Sequence, residues 1–340
     1  MTDTHPPTVR PLTVVTAAEL AAVIEADRSA CLDAVRRCYL VHDEAATALP
    51  HSSFLRFPQL PRDRIIALPA YLGGDFDVAG IKWIASFPGN TAHGIPRASA
   101  VLLLNDLATG HPYACLEASL ISATRTAASA VLGAEELVGG RQVGSVGFVG
   151  TGLIAEHVRR FLRDLDWRIG EYRLFDLDPA AAERFAATLH ADGVDAARVV
   201  PEAAEALGAD LVVFATVAGE PHLHDPALLA HHPVVLHLSL RDLSPEIVLA
   251  SENFTDDVEH AVRERTSLHL AEQRVGHRDF VTGTLADVLR GRIRRDPDRT
   301  AIFAPFGLGV LDLAVGAWAF DRVRAAGGGQ PIADFFPLAN

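Results

Sequence analysis

Apolar and polar residues in the first third of the chain form short runs separated by turn residues. Apolar positions three and four apart indicate a helix, whereas alternation with a period of two indicates a strand with one buried face. The pattern predicts a helix over 17–39, strands over 53–57, 64–72, 78–87, 98–105 and 113–117, and a helix of small residues over 119–137. We therefore expect an α+β domain with a largely antiparallel sheet.

The pattern changes after Gly140 to continuous apolar runs that alternate with helical segments. Strands are predicted over 142–149, 171–175, 199–200, 211–216 and 234–239, and helices over 153–165, 179–190 and 202–207. Such alternation is typical of a parallel sheet covered on both faces. A last apolar helix over 307–323, with no strand after it, is expected to pack back on the first domain. The predicted fold class is α/β, with a Rossmann-type doubly wound parallel sheet (126–307) inserted in an α+β domain (1–125 plus 308–340).

Composition and charge narrow the class of protein. The 340 residues carry a formal net charge of -13, which argues against a protein that grips nucleic-acid backbones. No uncharged apolar run is long enough to span a membrane, and the N-terminus lacks a signal-peptide pattern, so we expect a cytoplasmic protein without a membrane partner. Cys31, Cys38 and Cys115 form no CxxC pair, and no His/Cys cluster has zinc spacing, so we expect no metal.

A glycine motif follows the first predicted strand of the second domain. Its residues are Gly150-Thr151-Gly152-Leu153-Ile154-Ala155, a GxGxxA between a strand and a helix. Gly150 permits the tight turn, Gly152 lets a pyrophosphate approach the backbone, and Ala155 allows close packing of helix on strand. The helix N-terminus then offers free N–H groups to the phosphates. The motif predicts a dinucleotide site, against the alternative of a glycine turn in an unrelated α/β protein.

The residues after the next strands refine the choice of cofactor. Asp176 ends the second strand about two dozen residues beyond the motif, where an acid suits the ribose hydroxyls of NAD and repels the extra phosphate of NADP. No arginine follows it directly, so we expect NAD. Thr216 and Ala218 come at the end of another strand and are predicted to cover the ribose or nicotinamide, although an ordinary loop is an equal alternative.

Several cations stand among apolar residues in the first domain. Lys82 lies in an apolar strand, where a solvent-facing position is the alternative to an active-site role. Arg125 lies in a helix that has almost no other charge, so it needs a carboxylate or phosphate partner, or an internal salt bridge with a residue such as Glu117. Arg56 and Arg97 have similar settings. Together these cations predict a substrate with several carboxylates.

Three stretches resemble the ornithine cyclodeaminase/μ-crystallin family, and the resemblance covers residues from about 50 to 320. They are Ile81-Lys82-Trp83-Ile84-Ala85-Ser86-Phe87-Pro88 with Gly94-Ile95-Pro96-Arg97-Ala98-Ser99-Ala100, Ser122-Ala123-Thr124-Arg125-Thr126-Ala127-Ala128, and Ala304-Pro305-Phe306-Gly307-Leu308-Gly309. The first stretch most resembles family members that oxidise N-(2-amino-2-carboxyethyl)-L-glutamate with NAD. The products are 2-oxoglutarate and 2,3-diaminopropionate, which feeds siderophores and peptide antibiotics.

The resemblance implies roles for individual residues. Lys82 matches the family's active-site lysine and Arg125 its substrate-carboxylate arginine, while Arg56 falls near a second carboxylate-binding arginine. Arg97 replaces a small polar residue of the cyclodeaminases, which suits a substrate with three carboxylates. The cyclodeaminases' catalytic aspartate falls nearest Asp242, but the surrounding pattern differs and leaves the role of Asp242 open.

The resemblance also implies the quaternary structure and leaves rival activities. Cofactor contacts are expected from Arg125, Thr126 and Ser239, and the first domain is expected to bind substrate and to form a homodimer. The rival activities are a cyclodeaminase-like lyase that uses NAD without net oxidation, a ketimine or imino-acid reductase, and a μ-crystallin-like protein that binds NAD(P)H without catalysis.

Overall fold

A computed structural model describes residues 8–337 of the chain. They form two compact units: unit 1 contains residues 8–125 and 308–337, and unit 2 contains Thr126–Gly307. Unit 2 is therefore inserted into the sequence of unit 1, and the first crossing between the units falls within one helix.

The elements follow one another in a regular order. In the first part they are β1 (Thr13–Val15), α1 (Ala17–Ala26), α2 (Arg28–Asp43), β2 (Thr47–Ala48), β3 (Ser53–Phe57), β4 (Leu60–Leu72), β5 (Val78–Ser86), β6 (Ala98–Asn105), β7 (Pro112–Glu117) and α3 (Ser119–Val138). In the second part they are β8 (Gln142–Val149), α4 (Leu153–Asp164), β9 (Arg168–Phe175), α5 (Pro179–Ala191), β10 (Ala197–Val199), α6 (Ala203–Leu207), β11 (Leu211–Phe214), β12 (Val234–His237), α7 (Pro245–Ala250), β13 (Glu252–Thr255), α8 (Val258–Ala261), α9 (Ser267–Val275), β14 (Val281–Thr284), α10 (Leu285–Leu289) and β15 (Ala301–Phe303). The chain returns to unit 1 with α11 (Gly309–Ala325) and β16 (Gln330–Pro331).

The sheet of unit 1 has the strand order β16-β1-β7-β6-β5-β4-β2, and β3 also pairs with β4. Neighbouring strands are antiparallel except β1 and β7, which are parallel. Helix α11 packs on one face of this sheet. A Cβ atom at Gly316 of α11 would lie 2.3 Å from Leu102 Cδ2, so glycine permits the close approach of helix to sheet.

Two expectations for unit 1 are wrong in detail. The helix predicted over 17–39 is two helices, because Asp27 has an extended backbone (φ -155°) and its side chain accepts the amide hydrogen of Ala30 to cap α2. The last apolar helix is followed by a strand after all, since β16 pairs with β1. Its two residues are too few to show a period in the sequence.

The sheet of unit 2 is parallel throughout, with the order β10-β9-β8-β11-β12-β15-β13-β14. The order runs outward in both directions from the neighbours β8 and β11, and ligands of doubly wound sheets bind at the carboxyl ends of strands beside such a reversal. Apolar residues of the central strands, such as Val149, Val212 and Ile302, are buried in its core. The predicted α/β fold with a Rossmann-type sheet is confirmed.

The far side of this sheet was not predicted from the sequence. Strands β13, β14 and β15 have three or four residues each, and β13 and β14 contain polar side chains. Such short segments show neither alternation nor a long apolar run, so only their pairing in the folded sheet reveals them. Within residues 8–337, no helix has the length and apolar character that crossing a membrane requires.

Candidate functional site

The first group of candidate residues surrounds Lys82 in unit 1. Lys82 Nζ donates to Asp312 Oδ2 at 2.7 Å and to Ser122 Oγ at 3.1 Å. Arg125 Nε donates to the other carboxylate oxygen of Asp312 at 3.2 Å. The Lys82 side chain is 2% exposed and that of Asp312 is fully buried. One carboxylate at the start of α11 thus holds two cations, one from β5 and one from α3.

The setting of Lys82 changes its acidity. Burial disfavours the charged ammonium, the Asp312 carboxylate favours it, and the Arg125 cation disfavours it again, so that the pKa of Lys82 falls to about 8. A lysine with this pKa is partly neutral near physiological pH and is able to accept a proton. The solvent-facing alternative for Lys82 is wrong, because alternation along β5 places its side chain under α11.

The partner of Arg125 differs from the one considered in the sequence. Glu117 instead accepts the amide hydrogens of Ser119 at 2.7 Å and Leu120 at 3.0 Å, and so caps the N-terminus of α3. The alternative of an internal salt bridge with Glu117 is therefore wrong, and the internal partner is Asp312. The sequence carried a signal for Asp312 that the analysis missed: a single acid at the start of an otherwise apolar helix needs a buried partner.

The other two predicted substrate residues lie towards one end of the same sheet. Arg56 of β3 is exposed, and its register partner on β4 is Arg64, which in turn pairs with Ser86 of β5. Register partners share a face, and Lys82 shares the face of Ser86 because the two are four residues apart on one strand. Arg97 is half-buried and donates from Nε to Ser86 Oγ at 3.3 Å. Burial, reinforced by the cation of Arg62, lowers the pKa of Arg97.

The glycine turn lies at the end of β8 in unit 2. Gly150 has a φ of 87°, and a Cβ atom there would lie 2.8 Å from the carbonyl oxygen of Ala215, so the turn requires glycine twice over. A Cβ atom at Gly152 would meet nothing within 4 Å, which leaves the N-terminus of α4 open to a ligand. Leu153 is exposed and Ile154 is half-buried in the first turn of that helix.

Asp176 follows β9 and contacts the glycine turn directly. Its Oδ2 atom accepts hydrogen bonds from Thr151 N at 2.7 Å and Thr151 Oγ1 at 2.9 Å, while Oδ1 accepts from Asp178 N at 3.0 Å. The carboxylate is thus held at the carboxyl edge of the sheet, beside the turn. This is the position from which an acid reaches a ribose of a dinucleotide.

A second polar cluster surrounds Asp242 in unit 2. Thr216 Oγ1 donates to Asp242 Oδ1 at 2.5 Å, and His222 Nε2 lies 3.0 Å from the same oxygen. The hydroxyl of Ser239 donates to Oδ2, and His237 Nε2 lies 3.2 Å from Oδ2. The carboxylate is fully buried. The sequence analysis singled out neither histidine, because each stands alone in the sequence without a catalytic motif.

The contacts of Asp242 decide what it can do chemically. Burial raises the pKa of Asp242, but hydrogen bonds from His237, Ser239 and Thr216 outweigh burial and hold that pKa well below its ordinary value. The carboxylate therefore stays charged and accepts hydrogen bonds. Thr216 and Ser239, which were predicted to bind cofactor, donate to it here.

The remaining predicted cofactor residues lie close by in sequence. Thr216 Oγ1 also accepts the amide hydrogen of Ala218 at 3.2 Å, so the loop after β11 is tied to the Asp242 cluster. Thr126 is half-buried on α3. The roles of all these residues towards a cofactor stay predictions.

Comparison with known proteins identifies the family. The sequence profile described as the ornithine cyclodeaminase/mu-crystallin family matches residues 31–327. The chain belongs to the ornithine cyclodeaminase/mu-crystallin family. The resemblance drawn from the lysine and arginine stretches is confirmed.

Relatives within the family are enzymes of amino-acid metabolism. The N-((2S)-2-amino-2-carboxyethyl)-L-glutamate dehydrogenase of Staphylococcus aureus is 28% identical over 300 residues, which are 83% of this chain and 88% of the relative. The alanine dehydrogenase of Archaeoglobus fulgidus is 28% identical over 336 residues, which are 95% of this chain and 98% of the relative.

A solved structure gives the same picture for the fold. An archaeal alanine dehydrogenase dimer with bound NAD has a TM-score of 0.84 and 25% identity, and the match covers 95% of this chain and 99% of that one. Relatives and structural neighbours in this family are thus NAD-dependent dehydrogenases, in agreement with the prediction of an NAD-dependent oxidoreductase.

Proposed function

We propose that this family member is a dehydrogenase that uses NAD to oxidise the secondary amine of N-(2-amino-2-carboxyethyl)-L-glutamate, here called the conjugate. The products are 2-oxoglutarate and L-2,3-diaminopropionate, a building block of siderophores and peptide natural products. The observation that carries the proposal is the buried Lys82, with its pKa near 8, on the face of the sheet that also bears Arg56.

The residues of unit 2 fit a bound NAD. The open space at Gly152 and the free amides of α4 suit the pyrophosphate, and Asp176 beside the turn suits a ribose diol. We expect Thr151, Leu153 and Ile154 to contact the cofactor through the same turn. When bound, NAD accepts the hydride that leaves the substrate carbon.

The arginines and Lys82 have separable tasks in this proposal. The conjugate carries three carboxylates, and Arg56, Arg97 and Arg125 supply guanidinium groups that bind carboxylates in a fixed orientation. The substrate amine must lose its proton before its carbon can give up a hydride, and Lys82 is the group whose acidity suits the removal of that proton. Asp312 then keeps the charge of the protonated Lys82 compensated.

One incubation tests the proposal against its rivals. The protein is incubated with NAD and, in separate samples, the conjugate, L-ornithine or L-alanine, and products are identified by mass and by NADH absorbance. We expect 2-oxoglutarate, diaminopropionate and one NADH per conjugate consumed. Proline from ornithine without net NADH would establish the lyase instead. Pyruvate from alanine would favour an alanine dehydrogenase, which one relative's name makes a specific rival.

The role of Lys82 has its own test. Lys82→Met keeps most of the side-chain volume and removes the amine, so turnover should fall by about 100-fold or more while calorimetry shows unchanged NADH binding. NADH binding is the internal control, because the cofactor residues lie in unit 2. Full turnover of Lys82→Met would exclude Lys82 as the base.

We also propose that two copies of the chain pair through the outer face of the unit 1 sheet. Trp83, Leu55 and Val101 are 43%, 46% and 42% exposed. Trp83 and Val101 are register partners, and alternation places Leu55 on the same face. Adjoining exposed apolar side chains of this size mark an interaction surface, and an isologous dimer buries the same patch on both copies.

A further inference from the structure

His222 is fixed at two points to Asp242, outside the group of residues that the proposed function uses. Its Nε2 lies 3.0 Å from Asp242 Oδ1, and its backbone N–H donates to the carbonyl oxygen of Asp242 at 3.1 Å. The imidazole is nevertheless 47% exposed. Its other ring nitrogen, Nδ1, has no hydrogen-bond partner within residues 8–337.

The contacts determine which ring nitrogen carries the hydrogen. Hydrogen bonds hold the pKa of Asp242 well below its ordinary value, so its carboxylate is charged and accepts only. The neutral His222 must therefore carry its hydrogen on Nε2 and its lone pair on Nδ1. Thr216 and Ser239 donate to the same carboxylate, which fixes the orientation of Asp242 itself.

The position of this pair in the sheet is where a reacting ligand is expected. His222 lies in the segment after β11, and β11 pairs with β8, the strand that ends in the glycine turn. The two segments contact each other, since the backbone of Ala215 fills the space beside Gly150. Ligands of doubly wound sheets occupy this edge, between the two strands at which the order reverses.

We propose that Nδ1 of His222 transfers protons during the hydrolysis of the imine, with Asp242 as its positioning residue; this inference rests on the proposed function. The oxidised conjugate is an iminium ion. His222 takes one proton from water as the water oxygen bonds to the iminium carbon. It gives that proton to the nitrogen, the C–N bond breaks, and the oxygen releases its remaining proton to solvent to form the ketone. Iminium and water thus yield 2-oxoglutarate, the amine and one proton.

The other acidic and basic groups are less suited to this step. Asp242 is fully buried, and both of its carboxylate oxygens already accept hydrogen bonds from side chains. Lys82 forms an ion pair with Asp312, and the proposed function assigns it the earlier proton of the amine. A histidine with an exposed lone pair and a charged carboxylate behind it is an arrangement for general acid–base catalysis.

The rival explanation is that His222 only ties its loop to the sheet. His222→Gln separates the two, because a glutamine amide is able to donate to Asp242 but has no basic nitrogen. If His222 transfers protons, turnover falls by about 100-fold or more, and imidazole added to His222→Ala restores part of it. His224→Gln is the matched control, since His224 is an exposed histidine two residues away, and it should retain full turnover.

Two measurements besides turnover complete the test. Nitrogen NMR of labelled protein should show His222 as the Nε2–H tautomer, and Asp242→Asn should abolish that preference. NADH affinity and the melting temperature of His222→Gln should equal those of the wild type. A fully active His222→Gln, or an Nδ1–H tautomer, would overturn the inference.

The same design separates this inference from the proposed function. If the wild type ignores the conjugate but oxidises alanine, the proposed function fails, and the variants are compared on the alanine reaction, which also ends in hydrolysis of an imine. A loss of turnover limited to His222→Gln and His222→Ala then still supports the inference. Inactivity of the wild type with the conjugate, ornithine and alanine overturns both.

Discussion

Replacing Asp312 with asparagine keeps the shape of the side chain and removes the charge that Lys82 and Arg125 share. At the 2.7 Å separation from Lys82 and an effective dielectric constant of about 20, the lost attraction is roughly 6 kcal/mol before any relaxation. Only Arg125 and burial would then act on Lys82, and both lower its pKa. The mutation should therefore make Lys82 a weaker base that is neutral at lower pH.

The size of the effect follows from the free energy of a proton. One pKa unit corresponds to about 1.4 kcal/mol, so even a quarter of the lost attraction lowers the pKa of Lys82 by about one unit. In the wild type, the rate should rise with pH through the Lys82 pKa of about 8, because the neutral amine is the base. In Asp312→Asn, the same rise should occur at about pH 7 or below.

The assay is the pH dependence of kcat/KM for NADH formation, compared between wild type and variant. Asp321→Asn is the matched control, because Asp321 is an exposed carboxylate on the same helix α11. It should leave the rise near pH 8. A rise that stays in place in Asp312→Asn, or that moves to higher pH, would refute the assignment of the rise to Lys82 and its ion pair.

Three further predictions concern the turn, the ribose site and the dimer. Gly150→Ala should weaken NADH binding at least about 10-fold by calorimetry, because its Cβ meets Ala215 and its positive φ is strained by about 1–3 kcal/mol; unchanged affinity would contradict the role of the turn. Asp176→Ala should raise the ratio of kcat/KM for NADP over NAD, since the acid repels the extra phosphate, and a constant ratio would argue against that role. Trp83→Glu should convert a dimer into monomers in sedimentation without loss of secondary structure in circular dichroism, whereas a persisting dimer would place the interface elsewhere.

Much of the fold follows from local sequence. Strands β3, β6 and β8 have the predicted bounds, because turn residues flank each run on both sides. The start of β9 was placed at Glu171, three residues late, since the alternation of its first residues is weaker. Strand β13 was missed because its residues, Glu252–Thr255, are buried by neighbours that the sequence does not place beside it.

The candidate site was only half visible in the sequence. Lys82 and Arg125 stood out as cations among apolar residues, but their common partner Asp312 did not, because contacts across 230 positions leave no local pattern. The cluster around Asp242 was hidden for the same reason. His222 and His237 come from different strand ends, and only the parallel pairing of β11 with β12 brings those ends to one edge.

The insertion of unit 2 gives the ion pair of Lys82 a history during synthesis. Lys82 leaves the ribosome 230 positions before Asp312, and at roughly 5–20 residues per second this delay lasts about 10–45 s. During that time the whole of unit 2 is made and is free to fold, while the nascent strands of unit 1 still lack α11. The lysine therefore waits in water with its charge hydrated. It becomes a weakened acid–base group only when the last helix arrives and closes over it.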